Sequence, residues 1–268
     1  LRPKSIVVIG ASEKPERAGF LMMRNLLDGG FNGPILPVTP THKAVCGVLA
    51  YANIANLPIT PDLAILCTHD SRNLALLEDL GIRGCKAVII LSAATEQFPE
   101  LKTCAQRHHM RLLGPNSLGL LAPWQGLNAS FSPVPIKKGR LAFISQSAAV
   151  ANTILDWAQQ REVGFSYFIA LGDSLDIDVD DLLDFLARDG KSNTSVMRVG
   201  FYPPHAVLRA INQFWWSKVA AHNVLNSCSM VSKGWTRLMM PLFSGLACCG
   251  CRILTSYFPP LKHSAICT

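Results

Sequence analysis

The last 78 residues contain no aspartate and no glutamate, whereas the first 190 contain all eighteen acids of the chain. Roughly one residue in eight is acidic in an ordinary globular chain, so two compositions meet near Gly190–Lys191. The formal net charge of +7 hides the contrast. Residues 1–190 carry 17 Lys and Arg against 18 acids, and residues 191–268 carry 8 basic residues with no acid. A nucleic-acid surface gathers its basic residues on one folded face with aromatic or polar partners. Here they are scattered through the acid-free tail, which argues against nucleic acid as a partner. No apolar run reaches the roughly 20 residues of a membrane-spanning helix, so no membrane partner is expected. Leu1-Arg2-Pro3-Lys4 begins no signal peptide, and the absent initiator Met reads as an incomplete left end.

Other absences exclude particular chemistries. The Gly-x-Gly-x-x-Gly fingerprint of dinucleotide sites is missing, with only Gly10 and Gly19 in the relevant stretch. No Gly-x-Ser-x-Gly elbow accompanies His69-Asp70 or His108-His109. Neither pair is expected to be catalytic, and His108-His109 at a helix end reads as a solvated cation. The acids at 173, 176, 178, 180, 181 and 184 lack calcium-loop spacing and its central Gly. They read instead as caps for a helix over Asp181–Arg188. Cys248-Cys249-x-Cys251 is too tight for paired zinc ligands, so no metal is expected. Cys46, Cys67, Cys85 and Cys104 sit alone in apolar or helical settings, as buried thiols of a reducing, cytoplasmic compartment.

The first 127 residues alternate short β-branched runs with helical periodicity. Ser5–Gly10, Ile35–Val38, Asp62–Cys67, Lys86–Leu91 and Arg111–Gly114 read as strands. Helices are expected at Arg17–Asp28, Ser71–Leu80 and Glu100–His109. This alternation predicts an α/β fold, a Rossmann-like doubly wound parallel sheet. Its ligand crevice lies where the strands end. Gly10-Ala11-Ser12, Val38-Thr39-Pro40, Thr68-His69, Ser92-Ala93 and Gly114-Pro115-Asn116 arrive there, with Lys14, Arg17 and Lys43 able to add positive charge. Small residues and a helix N-terminus suit a phosphate-bearing nucleotide. From residue 128 a second α/β unit begins, with a strand at Leu141–Ile144, a Ser145-Gln146-Ser147 cap, a helix over Ala148–Gln160 and a strand at Phe165–Leu171.

GASEKPERAG after the first strand, the Pro-Val-x-Pro loop at Pro37–Pro40, RLLGPNSLGLL at 111–121 and FISQSAAVANTILDWA at 143–158 carry a resemblance. Together they resemble the CoA-binding and flavodoxin-like domains of NDP-forming acyl-CoA synthetases, relatives of the succinyl-CoA synthetase α subunit. The segments APWQGLNASFSPVPI and IALGDSLDIDVDDLLDFLARD look closest to bacterial protein lysine acetyltransferases, which join such a region to an acetyltransferase domain. The resemblance covers about residues 1–190. It implies a CoA or acetyl-CoA ligand, with Gly10, Ala11 and Ser12 near its phosphates and Lys14 and Lys43 neutralising them. Ser92, Ala93 and Asn116 would line the pantetheine or thiol end. In the ligases, the element matching Ser145–Ala148 receives phosphate from a phosphorylated His; Ala148 stands here in place of the usual Gly and weakens that site. A full-length relative would act on protein lysines. The ATP-grasp and acetyltransferase domains, and the Ser-His-Thr-Gly type motif with its phosphorylated His, are not in this chain, so it is expected to bind CoA and catalyse nothing. An NDP-forming acyl-CoA synthetase fragment or an NAD-type module is the alternative to the acetyltransferase reading, and oligomeric state is left open.

Three segments follow: a CoA-binding domain over 1–127, the first part of a flavodoxin-like domain over 128–190, and an irregular tail over 191–268. The tail reads as an out-of-frame translation. Met239-Met240-Pro241 and Trp215-Trp216 have nearly forced codons. Two bases later these contain words for Asp, Ala and Val, and permissible codons around Asn212–Val219 yield a Lys-Pro, apolar strand, Lys-Ser-Gly segment of the family type. Such a tail is expected to be poorly ordered and prone to aggregate. The nucleotide sequence across codons 185–200 tests this.

Overall fold

The computed structural model describes residues 1–93, 98–190, 192 and 195–199. The strands are β1 Ile6–Ile9, β2 Ile35–Val38, β3 Ala44–Val45, β4 Val48–Leu49, β5 Leu63–Leu66, β6 Ala87–Ile90, β7 Arg111–Leu113, β8 Gly119–Ala122, β9 Leu127–Ser130, β10 Lys137–Ser145, β11 Gly164–Ala170 and β12 Ser195–Val199. The helices are α1 Ala18–Asp28, α2 Asn73–Ile82, α3 Phe98–Arg107, α4 Ala148–Gln160 and α5 Val179–Arg188.

Five strands form a parallel sheet in the order β2-β1-β5-β6-β7. All four residues of β1 and of β5 are buried, as continuous apolar strands covered on both faces require. Alternation sends Ile6, Val8 and Ile65 into one core, shared with Met22, Met23 and Leu26 of α1. Val7, Ile9, Ala64 and Leu66 enter the other, under Leu77 and Leu80 of α2 and Leu101 of α3. The chain moves from β1 outward to β2, then returns to β5 on the opposite side. The switch point therefore lies between β1 and β5, where consecutive helices leave toward opposite faces.

A second sheet runs β12-β10-β11-β8-β9. β10 pairs in parallel with β11 and β12, whereas β8 pairs antiparallel with β11 and with β9. The β8–β9 hairpin lies where no element was expected, between the strands at Arg111–Gly114 and Leu141–Ile144. Its strands are tied by the Pro123–Gln125 turn and Gly126, whose φ is 65°. The boundary read between 127 and 128 falls at the start of β9. Leu120, Leu127, Ile144, Tyr167, Leu182 and Leu186 share the first core with Ile6 and Val8, so apolar burial, the main favourable term in folding, joins the two sheets. Phe143 stacks on Phe168 at 4.4 Å between centroids, and Phe165 meets Phe168 edge-on at 5.2 Å.

Helix α2 starts two residues later than expected. Asp70–Arg72 forms a separate 3-10 turn whose cap is the His69 side chain. α5 starts earlier, at Val179, because Asp178 accepts from Asp181 N at 2.9 Å and completes a capping box. Ser195–Val199 continues the second sheet beyond the boundary expected at 190. The remainder of the tail reading, 200–268, lies outside the described residues. No helix among the described residues is long and apolar enough to cross a membrane.

Candidate functional site

Every expected loop reaches the same edge of the first sheet. Gly10 N donates to Val38 O at 3.0 Å and Cys67 N to Ile9 O at 2.8 Å. Asn116 N donates to Ser92 O at 2.9 Å. The ends of β1, β2 and β5, and of β6 and β7, are thus stitched side by side.

Gly10 has φ +85°, and a Cβ there would stand 2.8 Å from Cys67 O and 3.0 Å from Thr68 Cγ2. At Gly19 a Cβ would stand 2.1 Å from Gly10 O. The two glycines let α1 seat directly on the β1 turn, which is the packing role of the last glycine in dinucleotide folds. Ala11 and Ser12 are buried behind this turn, and Ser12 Oγ accepts from Lys14 N at 3.1 Å. Glu13 accepts from Cys46 N at 2.6 Å, which joins the loop carrying Lys14 to the β3–β4 hairpin beside Lys43. Both lysines are exposed, and neither makes an ion pair among the described residues. That leaves two cations at the rim of the strand ends.

On the far side of the crevice, Ser92 is half-buried and Ala93 exposed. The sequence reading missed the residue that holds Ser92: Asn73, fully buried in the first turn of α2. Its Nδ2 donates to Ser92 Oγ at 3.0 Å, and its Oδ1 accepts from Thr68 Oγ1 at 3.4 Å. A buried Asn needs such partners, so a polar residue opening a helix at a strand end was the available signal. Asn116 has φ 59° and is exposed; its Nδ2 donates to Asp173 Oδ1 at 3.4 Å. The second unit closes this end: Asp173 N donates to Pro115 O at 2.9 Å and Leu175 N to Gly114 O at 3.2 Å. Gly172, with φ 63°, has room for no Cβ against Pro115 O, only 2.1 Å away.

Several side chains occupy places other than those expected. The acids of 173–184 do more than cap α5. Arg111 donates to Asp176 Oδ2 at 2.9 Å and to Asp181 Oδ2 at 2.7 Å, and Asp176 also accepts from Leu112 N at 2.8 Å. His108 is not solvated as expected; its Nε2 lies 2.7 Å from Glu78 Oε2 with the side chain only 18% exposed. Cys104, next to them, is therefore not alone. Cys46 and Cys67 are half-buried, whereas Cys85 and Cys104 are buried. Burial pushes the Cys67 thiol up to about 12 and those of Cys85 and Cys104 up to about 11, disfavouring the reactive thiolate. Ser147 caps α4, accepting from Val150 N at 3.4 Å, and Ser145 is bound to Ser147 by both its donor and its acceptor.

Comparison with known proteins identifies the two domains. Residues 4–123 match the CoA binding domain family, and residues 138–212 match the succinyl-CoA ligase like flavodoxin domain. The second match passes the boundary expected at 190. The chain is 34% identical over 203 residues to the ADP-forming acetate–CoA ligase of Methanocaldococcus jannaschii, covering 74% of this chain and 29% of that protein. It is 33% identical over 199 residues to the α subunit of ADP-forming acetate–CoA ligase I of Pyrococcus furiosus, covering 70% and 43%. The solved dinucleotide-forming acetyl-coenzyme A synthetase 1 of Candidatus Korarchaeum cryptofilum, in complex with phosphate and ADP, superposes with a TM-score of 0.75 at 30% identity. That match covers 80% of this chain and 48% of the synthetase. The chain thus spans less than half the length of each of these relatives. It carries a CoA-binding domain followed by a succinyl-CoA ligase-like flavodoxin domain, homologous to the α subunit of NDP-forming acetate–CoA ligases.

Proposed function

We propose that this chain is the N-terminal, CoA-holding region of an NDP-forming acyl-CoA synthetase, and that its coenzyme lies across the β1–β5 switch point. The observation that carries this reading is the cradle itself. Gly10 turns the chain at the end of β1 packed so closely on Cys67 and Thr68 that a Cβ would strike them, and the β1–α1 turn and the β2–β3 loop beside it carry two exposed lysines. The residues fit the group: the Gly10-Ala11-Ser12 turn can approach a diphosphate closely, and Lys14 and Lys43 can neutralise it. Ser92, Ala93 and Asn116 would line the pantetheine arm, with Asn73 orienting the Ser92 hydroxyl. The bound coenzyme would supply a thiol that takes an acyl group; the chain's own residues hold and orient it. Residues 1–127 carry this site under the proposal, and the flavodoxin-like unit buttresses it through Gly172 and Asp173.

Support for a synthetase outweighs support for a protein lysine acetyltransferase, because the relatives above are CoA ligases and synthetases over nearly all the described residues. The acetyltransferase reading rests on the two segments at 122–136 and 169–189, and on a domain that would lie downstream. Calorimetry of the full chain with CoA, acetyl-CoA and NAD in parallel tests the proposal. CoA should bind, and NAD should not. Replacing Lys14 and Lys43 together with Ala should weaken CoA about ten-fold or more, since charge-assisted hydrogen bonds contribute about 1.5–3 kcal/mol and screening reduces that at an exposed rim. Unchanged affinity in the double variant would remove the diphosphate from this edge.

A further inference from the structure

Midway along α2, more than one turn beyond Asn73, three unlike donor side chains meet. Glu78 projects from α2, and Cys104 and His108 lie one helical turn apart at the end of α3. One ligand atom from each, a carboxylate oxygen, Sγ and a ring nitrogen, all lie within 4.8 Å of one another. Oxygen, sulfur and nitrogen donors in this combination are the set preferred by zinc and similar borderline divalent ions.

We propose that Glu78, Cys104 and His108 form a three-ligand site for a divalent transition ion of the zinc class, clamping α2 to α3. Geometry supports this beyond the proximity of three side chains. The Arg107 guanidinium donates to Glu78 Oε1 at 2.6 Å, while Glu78 Oε2 faces His108. The carboxylate is thereby oriented to offer one oxygen, the arrangement that outer partners impose on ligating groups. Gly81 makes room for the ring: a Cβ there would fall 2.3 Å from His108 Cγ. Only a residue without a side chain lets His108 lie flat on α2 and reach Glu78. Bond lengths of about 2.0–2.3 Å in a tetrahedral zinc site separate donors by about 3.2–3.8 Å. The 2.7 Å contact between His108 and Glu78 therefore opens by about half an ångström as the ion enters, and Cys104 Sγ, within 4.8 Å of both, adjusts by at most about 1 Å. Thiolate and carboxylate balance the charge of a divalent ion. Glu78 is 34% exposed, which leaves the outer side open to a water as fourth ligand. Binding releases the thiol proton.

The test uses the full chain under reducing conditions, stripped with a chelator and titrated with cobalt(II), then with zinc(II). One equivalent of cobalt should give a thiolate-to-cobalt charge-transfer band that zinc bleaches. C104S should abolish the band, and H108N and E78Q should weaken binding at least ten-fold. The triple variant C248S/C249S/C251S should keep the band, because those thiols belong to the tail. A silent wild type, or a band that survives C104S, would overturn the proposal. So would a band lost with the tail cysteines. Should C104S not fold, unchanged cobalt affinity in H108N overturns it equally.

Discussion

Replacing Gly19 with Ala separates two opposing physical effects by the sign of one measurement. Gly19 lies in the first turn of α1, where Ala is favoured over Gly by about 1 kcal/mol in helix propensity. Propensity alone therefore predicts a more stable protein. The new methyl would stand 2.1 Å from Gly10 O and 3.1 Å from Ala11 Cα. These are backbone atoms of the β1 turn, so no side chain can swing aside. Restoring an ordinary contact near 3.4 Å requires α1 to retreat by about 1 Å, disturbing Met22, Met23 and Leu26 in the core. Overpacking of this kind costs up to about 3 kcal/mol. The net expectation for G19A is a loss of about 2 kcal/mol, or a fall in Tm of about 4–8 °C for a domain of this size. Thermal unfolding followed by circular dichroism at matched concentration and scan rate reads this directly. CoA affinity should fall as well, because the displaced turn is the proposed diphosphate cradle. Gly30 provides the comparison: its φ is +74° but nothing lies within 4 Å of a Cβ. G30A should cost about 1 kcal/mol through backbone strain alone and leave CoA binding intact. A G19A protein as stable as the wild type would refute the close-packing argument.

Three further outcomes follow from named contacts. N73A leaves Ser92 and Thr68 without their shared buried partner, and should lower stability by about 1–3 kcal/mol in urea titration while weakening CoA. D176A removes the acceptor of both Arg111 Nε and Leu112 N. It should cost about 1–2 kcal/mol, with half-exposure of Arg111 keeping the loss small, and D176N should recover part of it because its amide oxygen still accepts from Leu112 N. Glu162 beside Lys137 titrates below its ordinary value of 4.5, through their hydrogen bond first and their charge second. Its contribution is therefore full above that value and is lost as pH falls through the lower folded-state value. The Tm difference between wild type and E162Q should be present at pH 7, vanish in strong acid, and shrink in 1 M salt.

The parallel sheet is legible in the residues alone, because continuous β-branched runs such as Ile6-Val7-Val8-Ile9 have no other stable home than a strand covered on both faces. So is the crevice: Gly10, Ser92 and Asn116 each follow a strand, and a parallel βα sheet delivers all such turns to one edge. Local capping was legible at Ser147 and within the Asp173–Asp184 stretch. Other features depend on residues that meet only after folding. The β8–β9 hairpin was hidden because Gly119–Ala122 is a four-residue run whose other partner, β11, is distant in sequence, with Leu121 opposite Phe168, and Leu127–Ser130 carries Asn128 and Ser130 and pairs with β8 at the sheet edge. Asn73 reads as an ordinary polar residue until folding places Ser92 beside it. His108 and Glu78 are separated by thirty residues, and their meeting depends on Gly81, whose importance lies in an atom it does not possess. Strand and helix identity follow from local periodicity, whereas partners across the fold follow from excluded volume and buried hydrogen bonds, which no local pattern records.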